Sequence, residues 1–326
     1  MVAGIGQAVP LMDPQTDSLA EALAVALNVE SVEDLVRLSG GASRETFRFQ
    51  ADGRPLVLQR QRPGYVRDMG VEVDVLKAAA GAGVPVPRVV ASSLEPSAVG
   101  AAYVIVELVE GETIARKILR DAEYAAAREL LPAQLGEALA KLHSAPVPEI
   151  AGLVDKDQLD EYREVLAMTG EPHPAFELAI RWLEQHRPAS SRRTMVHGDF
   201  RLGNIIVGPD GLRAVLDWEL AHRGDPMEDL GWLCVKAWRF GSPLPVAGVG
   251  SYEQLFEAYE AGGGGRVDPE AVRWWEVLGT LKWGIICIGQ ALAHTSGAAR
   301  SHELAAIGRR VCENEHDLFL ALEGHW

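Results

Sequence analysis

Within the 326 residues, the side chains best suited to chemistry crowd into one short stretch. His197-Gly198-Asp199 is followed five residues after the aspartate by Asn204, and a second acid, Asp217, stands 13 residues beyond Asn204. A loop carboxylate, a short amide and a second carboxylate can surround one polar cavity. Asn204 and Asp217 present hard oxygens, the donors that suit Mg²⁺ carrying nucleotide phosphates. Asp199, not needed as a ligand, is then free to orient a substrate hydroxyl and take its proton. His-Gly-Asp alone would say little, but the ordered set, closed by an apolar strand ending in an acid, is specific. His197 reads as a packing and hydrogen-bonding residue that holds the loop. Asp225 reads as a helix N-cap, with Pro226 in the first turn and Glu228 closing a capping box. From that helix Asp229 can brace the loop. Glu219 follows Asp217 by two residues, on the same face if the strand continues. It offers a third carboxylate, near the metal or near a substrate ammonium.

These groups need a scaffold. The runs NIIV and RAVLDW, joined by Gly208-Pro209-Asp210-Gly211, form a hairpin under the polar residues. Upstream, Thr16 or Asp17 can cap a helix over residues 19–28. Strand-like runs over 32–41, 44–60 and 101–111, with Asp52-Gly53 as a hairpin signal, surround one helix at 71–83 ended by Gly81 and Gly83. Residues 33–107 therefore make an antiparallel sheet with a helix packed on it. Beyond Gly111 the pattern is helical, over about 121–144, 157–168, 175–187, 226–239, 251–261, 268–295 and 301–322. Gly262 to Gly265 is punctuation between helices and no nucleotide fingerprint, because no strand precedes it. The expected organisation is a helical extension over 1–32, a nucleotide-binding lobe over 33–110, and a helical lobe over 111–326 with the catalytic hairpin and acceptor pocket.

The set His-Gly-Asp-Phe-Arg-x-x-Asn, Leu-Asp-Trp-Glu, Gly-Asp-Pro and Asp-Leu resembles the aminoglycoside phosphotransferase and choline kinase group, relatives of the protein kinases. It is most similar to the bacterial branch related to the kinase-like domain fused to some acyl-CoA dehydrogenases. The resemblance runs from about Leu38 to Trp232. It implies an α+β, bilobal protein-kinase-like fold, ATP with Mg²⁺ as cofactors, and γ-phosphoryl transfer to a small-molecule hydroxyl. Asp199 then matches the catalytic base, and Asn204 and Asp217 the metal ligands. The turn Ser39 to Ser43 matches the segment that covers the nucleotide, through Gly40, Gly41 and Ser43. Glu72 matches the acid that pairs with the nucleotide-lobe lysine, and Glu107 to Val109 the hinge whose backbone reads the adenine edge.

One position departs from that pattern. Gln59 stands where kinases carry the phosphate-binding lysine. Arg60, reaching in through a local strand irregularity with Gln59 donating an amide hydrogen bond, is the expected replacement, and Arg44 is the second candidate. The departure also admits a second reading, an impaired pseudokinase that binds a nucleotide or a partner. A protein kinase is disfavoured, because Asp225 follows Asp217 by eight residues and leaves no room for an activation segment.

Composition excludes other classes. With 46 acidic against 31 basic residues the formal charge is −15, which opposes nucleic-acid binding. Three scattered cysteines read as reduced thiols of a cytoplasmic protein. The start of the chain has no basic, apolar leader, and the apolar run Trp283 to Ala293 is short for a bilayer, so no membrane role is expected. No GxSxG or HExxH hydrolase motif occurs. Of Trp232, Trp238, Trp274, Trp275 and Trp283, most are expected in the core. The expected partner is a small-molecule acceptor, the expected state a monomer or homodimer.

Overall fold

Proline at a first helical turn and a two-residue hairpin set the start of the chain in the computed structural model, which describes residues 14–38, 44–62, 69–95, 99–189 and 192–325. Gly40, Gly41 and Ser43 lie outside these residues. Helix α1 (Pro14–Leu27) begins ahead of the expected caps, so Thr16 and Asp17 lie inside it. Proline's fixed φ suits the first turn. Strands β1 (Val32–Leu38), β2 (Arg44–Ala51) and β3 (Arg54–Gln61) precede helix α2 (Met69–Gly81), and β4 (Val89–Ser93) and β5 (Tyr103–Glu107) complete an antiparallel sheet of order β1-β2-β3-β5-β4. Asp52 and Gly53 both hold positive φ, 46° and 74°, the pair that a tight hairpin needs. That turn fixes the β2–β3 register, with Thr46 opposite Gln59 and Glu45 opposite Arg60. Phe47, Phe49, Leu56 and Leu58 pack under Leu23 of α1, and the other face meets α2 and the helical lobe.

The second lobe contains α3 (Ala115–Arg120), α4 (Ala125–Ser144), α5 (Gln158–Thr169) and α6 (Pro174–Gln185). Four short strands follow: β6 (Thr194–Val196), β7 (Ile205–Gly208), β8 (Gly211–Val215) and β9 (His222–Gly224). The rest is α7 (Met227–Cys234), α8 (Tyr252–Ala261), α9 (Pro269–Thr295), α10 (His302–Ile307) and α11 (Arg310–Leu322). The β7–β8 hairpin is the expected one, whereas the β6–β9 pair was not foreseen. Three-residue strands are too short for periodicity to register. The helix expected over 226–239 stops at Cys234 and passes into a 3₁₀ turn at Lys236–Trp238, and the one expected over 301–322 divides into α10 and α11.

Helix α9 is long and apolar enough, by length and composition, to cross a membrane, but 61% of its apolar window is buried inside the protein. It packs against α5, α6, α7, α10 and α11, and its Leu278, Leu281 and Ile285 lie in a core shared with α5, α6 and α11. The chain is thus α+β and bilobal: a small antiparallel sheet lobe on a larger helical one.

Candidate active site

Strand β6 delivers His197 and Gly198 to the lobe interface, and a buried carboxylate holds them there. Asp229, fully buried on α7, accepts from the His197 N–H at 2.8 Å and the Gly198 N–H at 2.9 Å. Its Oδ2 also meets His143 Nε2 at 3.1 Å. Burial opposes the charge on Asp229, but His143 and then His197 hold its carboxyl below the usual range. Gly198 has φ +79°, and a Cβ there would lie 2.6 Å from the Leu220 carbonyl oxygen, so this turn requires glycine. His197, fully buried, accepts the Asp199 N–H at Nδ1 (3.1 Å) and donates from Nε2 to the Leu216 carbonyl (2.9 Å). It links the loop to the strand end before Asp217 and does the packing work expected of it.

Asp199 is held by three donors. Arg201 Nε (3.0 Å) and Trp232 Nε1 (2.8 Å) donate to Oδ1, and Asn204 Nδ2 (2.6 Å) donates to Oδ2. With its nitrogen committed to Asp199, the Asn204 amide keeps Oδ1 buried and without a hydrogen-bond partner. A buried orphan oxygen of this kind is what a hard cation would take. Asp217 stands next to it: the Leu216 N–H donates to the Asn204 carbonyl at 2.8 Å. Asp217 is held at φ 65°, a left-handed conformation that aspartate tolerates at some cost. No group of three or more His, Cys, Asp or Glu able to hold a metal occurs among the described residues. The orphan Asn204 oxygen and the Asp217 carboxylate fit a hard cation that draws its other ligands from outside the protein.

The sequence reading missed what surrounds Asp199 on the helical side. Arg201 lies over the Trp238 ring at 4.7 Å. Lys282 of α9, also buried, lies over the Trp232 ring at 4.5 Å and donates to the Gly198 carbonyl at 3.3 Å. Trp232, Trp238, Trp274 and Trp283 are all buried, as expected, yet Trp232 is also a direct partner of Asp199. Asp225 does bond the Met227 N–H at 2.9 Å, but no capping box forms. Glu228 instead pairs with His222 at 3.0 Å and accepts from Gln158.

Facing the sheet lobe is a cleft between the lobes, walled by Val57, Val106 and Val109 on one side and Ile206, Val215 and Trp218 on the other. Gln59, Glu72 and Asp217 also line it. At the hinge, the Leu108 N–H is used by the Pro55 carbonyl, whereas the Val109 N–H has no backbone partner among the described residues. Glu107 lies at the outer edge, paired with Arg54 and Arg88 at 2.6 Å each; these two hold its carboxyl down at about 2.

Arg60 is not in this cleft. The register places it opposite Glu45, and its guanidinium bonds Glu45 at 2.5 Å and lies 5.6 Å over Phe47, on the α1 face. No bulge turns it inward, and strand alternation wins. Arg44 is the cation that the described residues bond to the cleft-lining Glu72 and Gln59. Its Nη1 donates to Glu72 at 2.5 Å and to Gln59 at 3.2 Å, and its Nη2 donates to Glu72 and reaches Glu219 at 3.4 Å. Burial alone would lower its pKa, but Glu72, then Glu219 and Asp217, keep the guanidinium firmly protonated. Glu219 comes here through a 3₁₀ turn, Trp218–Leu220, and not through the strand continuation expected.

The mouse acyl-CoA dehydrogenase family member 10 is 29% identical over 252 residues, which cover 69% of this chain and 23% of that protein. A solved structure of a candidate aminoglycoside phosphotransferase from Ralstonia eutropha superposes with a TM-score of 0.74 at 24% identity, covering 93% of this chain and 98% of that one. A thermostable mutant of the aminoglycoside phosphotransferase APH(4)-Ia, in a ternary complex with AMP-PNP and hygromycin B, gives a TM-score of 0.61 at 19% identity, over 92% of this chain and 98% of the other. These two likenesses establish the bilobal fold. The sequence profile of the phosphotransferase enzyme family matches residues 34–275, so that Glu107 to Val109, the loop from His197 to Asn204 and Asp217 all fall inside it, and the chain belongs to that family.

Proposed function

We propose that this protein moves the γ-phosphoryl of ATP, carried with Mg²⁺, to a hydroxyl of a small molecule, with Asp199 as the general base. The hydrogen-bonding state of the Asp199 carboxylate carries this reading. Oδ1 accepts twice, from Arg201 and Trp232, and so uses both lone pairs, while Oδ2 accepts from the Asn204 side chain. One lone pair of Oδ2 remains for the proton of an incoming hydroxyl. As the proton passes to Oδ2, the hydroxyl oxygen bonds to the γ-phosphorus. The bond from phosphorus to the β–γ bridging oxygen breaks, and its electron pair leaves with ADP. Bound Mg²⁺ supplies neutralising charge for the phosphates. Asn204 Oδ1 and Asp217 are the groups that would hold it. The cleft walls are apolar where a base would lie, and Val109 offers its N–H at the hinge. The AMP-PNP complex of the distant relative supports nucleotide use.

The test is ADP release from Mg²⁺·ATP across a panel of hydroxyl compounds, for the parent and Asp199→Asn. The parent should turn over at least one class of compound. The variant should bind ATP within a few-fold of the parent but lose activity by about 10²–10⁴, the range for a general base. Activity within a few-fold of the parent would remove Asp199 from this role. A parent that binds ATP yet phosphorylates nothing in the panel would favour the pseudokinase reading that Gln59 raised.

A further inference from the structure

We infer that Arg44 is the phosphate-binding cation of this protein, supplied from strand β2 in place of a lysine at position 59 on β3. The inference rests on the nucleotide reading above. The hairpin register fixes where Arg44 stands. Thr46 lies opposite Gln59, so Arg44, two residues earlier, is the diagonal neighbour of Gln59 on the cleft face. Their side chains touch at 3.2 Å. A cation at either position reaches the same place, and here the pair is distributed as Arg44 with Gln59.

The donor geometry shows what is left for a ligand. Glu72 takes one N–H from each terminal nitrogen of Arg44, a two-pronged pairing that fixes the plane of the guanidinium. The remaining N–H on each goes to a longer contact, Gln59 at 3.2 Å and Glu219 at 3.4 Å. Those two contacts are the exchangeable ones: a phosphate oxygen carries the charge that the Gln59 amide lacks, and the Glu219 contact is long. Arg44, Glu72, Glu219 and Asp217 together carry one positive and three negative charges. Burial is the main reason the Glu72 carboxyl sits above its usual range; Arg44 pulls it back, and Asp217 and Glu219 add to the rise. Such a site repels a bare triphosphate and admits one that brings a divalent cation. Arg44 is the basic side chain that the described residues bond to Glu72 and Gln59, and Arg60, its rival, is held by Glu45 on the opposite face.

The test measures affinity of the full chain for Mg²⁺·ATP, with adenosine as a control that lacks phosphates. Arg44→Gln should weaken Mg²⁺·ATP by roughly 10- to 100-fold, the range for a hydrogen bond to a charged group, and leave adenosine unchanged. Gln59→Arg added to Arg44→Gln should restore most of that loss. Because Arg44→Gln leaves Glu72 buried without its partner, Arg44→Gln with Glu72→Gln serves as a second variant and should lose affinity equally. If either variant binds Mg²⁺·ATP like the parent, Arg44 is not the phosphate cation. If Gln59→Arg restores nothing in a variant that melts like the parent, the shared-place argument fails. If the parent binds neither Mg²⁺·ATP nor adenosine, the nucleotide reading itself is wrong, a result distinct from both.

Discussion

Asp229→Asn tests whether a single buried carboxylate holds the loop that carries Asp199. Asp229 is fully buried and accepts three hydrogen bonds: from His197 N–H at 2.8 Å, Gly198 N–H at 2.9 Å and His143 Nε2 at 3.1 Å. The asparagine amide keeps one acceptor oxygen. Whichever way it turns, its NH₂ faces the N–H of either Gly198 or His197, and one loop donor stays buried and unpaired. His143 can adapt by exchanging tautomer, since its Nδ1 faces the Tyr259 hydroxyl at 3.0 Å, a group that donates or accepts. The backbone donors have no such freedom. One lost bond to a charged acceptor costs about 1.5–3 kcal/mol, and weakening the other two from charged to neutral adds about 1–2 kcal/mol. A total of about 2.5–5 kcal/mol overlaps the cost of breaking a buried charged pair. At about 2 °C per kcal/mol for a chain of this size, the melting temperature should fall by about 5–10 °C. Scanning calorimetry reads that loss. Steady-state kinetics should show kcat falling more than KM for ATP, because the cleft residues of the sheet lobe are untouched. Melting within about 2 °C of the parent, with kcat within a few-fold, would refute the brace.

Asp229 also has a pH signature. Its carboxyl is lowered in the fold from an ordinary value of 3.8, so its contribution is fully present above that value and is lost as pH falls through the lowered one. Between pH 5 and pH 3 the parent should therefore lose more stability than Asp229→Asn; equal losses in a denaturant titration would contradict this. Trp232→Phe keeps the ring under Lys282 but deletes the 2.8 Å bond to Asp199, so kcat should drop about tenfold with the fold intact. An unchanged kcat would mean that Asp199 needs no such anchor. Gly231→Ala places a Cβ 2.6 Å from Trp275 Cβ and 2.8 Å from the Val272 carbonyl, which forces α7 off α9. Overpacking of this kind costs about 1–3 kcal/mol and should show as a melting point lower by a few degrees.

The grouping of the candidate residues was legible because it is local. His197, Asp199, Asn204 and Asp217 lie within one loop and one hairpin, so spacing alone puts them together, and Asp52-Gly53 marks the hairpin of the other lobe. The brace by Asp229 was also readable, since α7 follows that hairpin closely. Arg44 was recoverable in principle. A two-residue turn at 52–53 sets Ala51 opposite Arg54, and counting outward puts Arg60 opposite Glu45 and Arg44 diagonal to Gln59. The error lay in letting adjacency along the chain outweigh alternation across the strand.

Other partners could not be read from spacing. Trp232, Lys282 and His143 reach Asp199, Gly198 and Asp229 from separate helices, and no periodicity distinguishes an indole N–H aimed at a carboxylate from one lost in the core. Glu219 reaches Arg44 across 175 residues because a 3₁₀ turn redirects it, which strand alternation would not foresee. The sequence by itself determined which candidate groups stand together, their order and the two-lobed pattern of strands and helices, since these follow from residue type and short-range backbone geometry. Only the tertiary structure decided which cation enters the cleft and which lone pair of Asp199 stays open, because both depend on donors that long-range packing brings within about 3 Å.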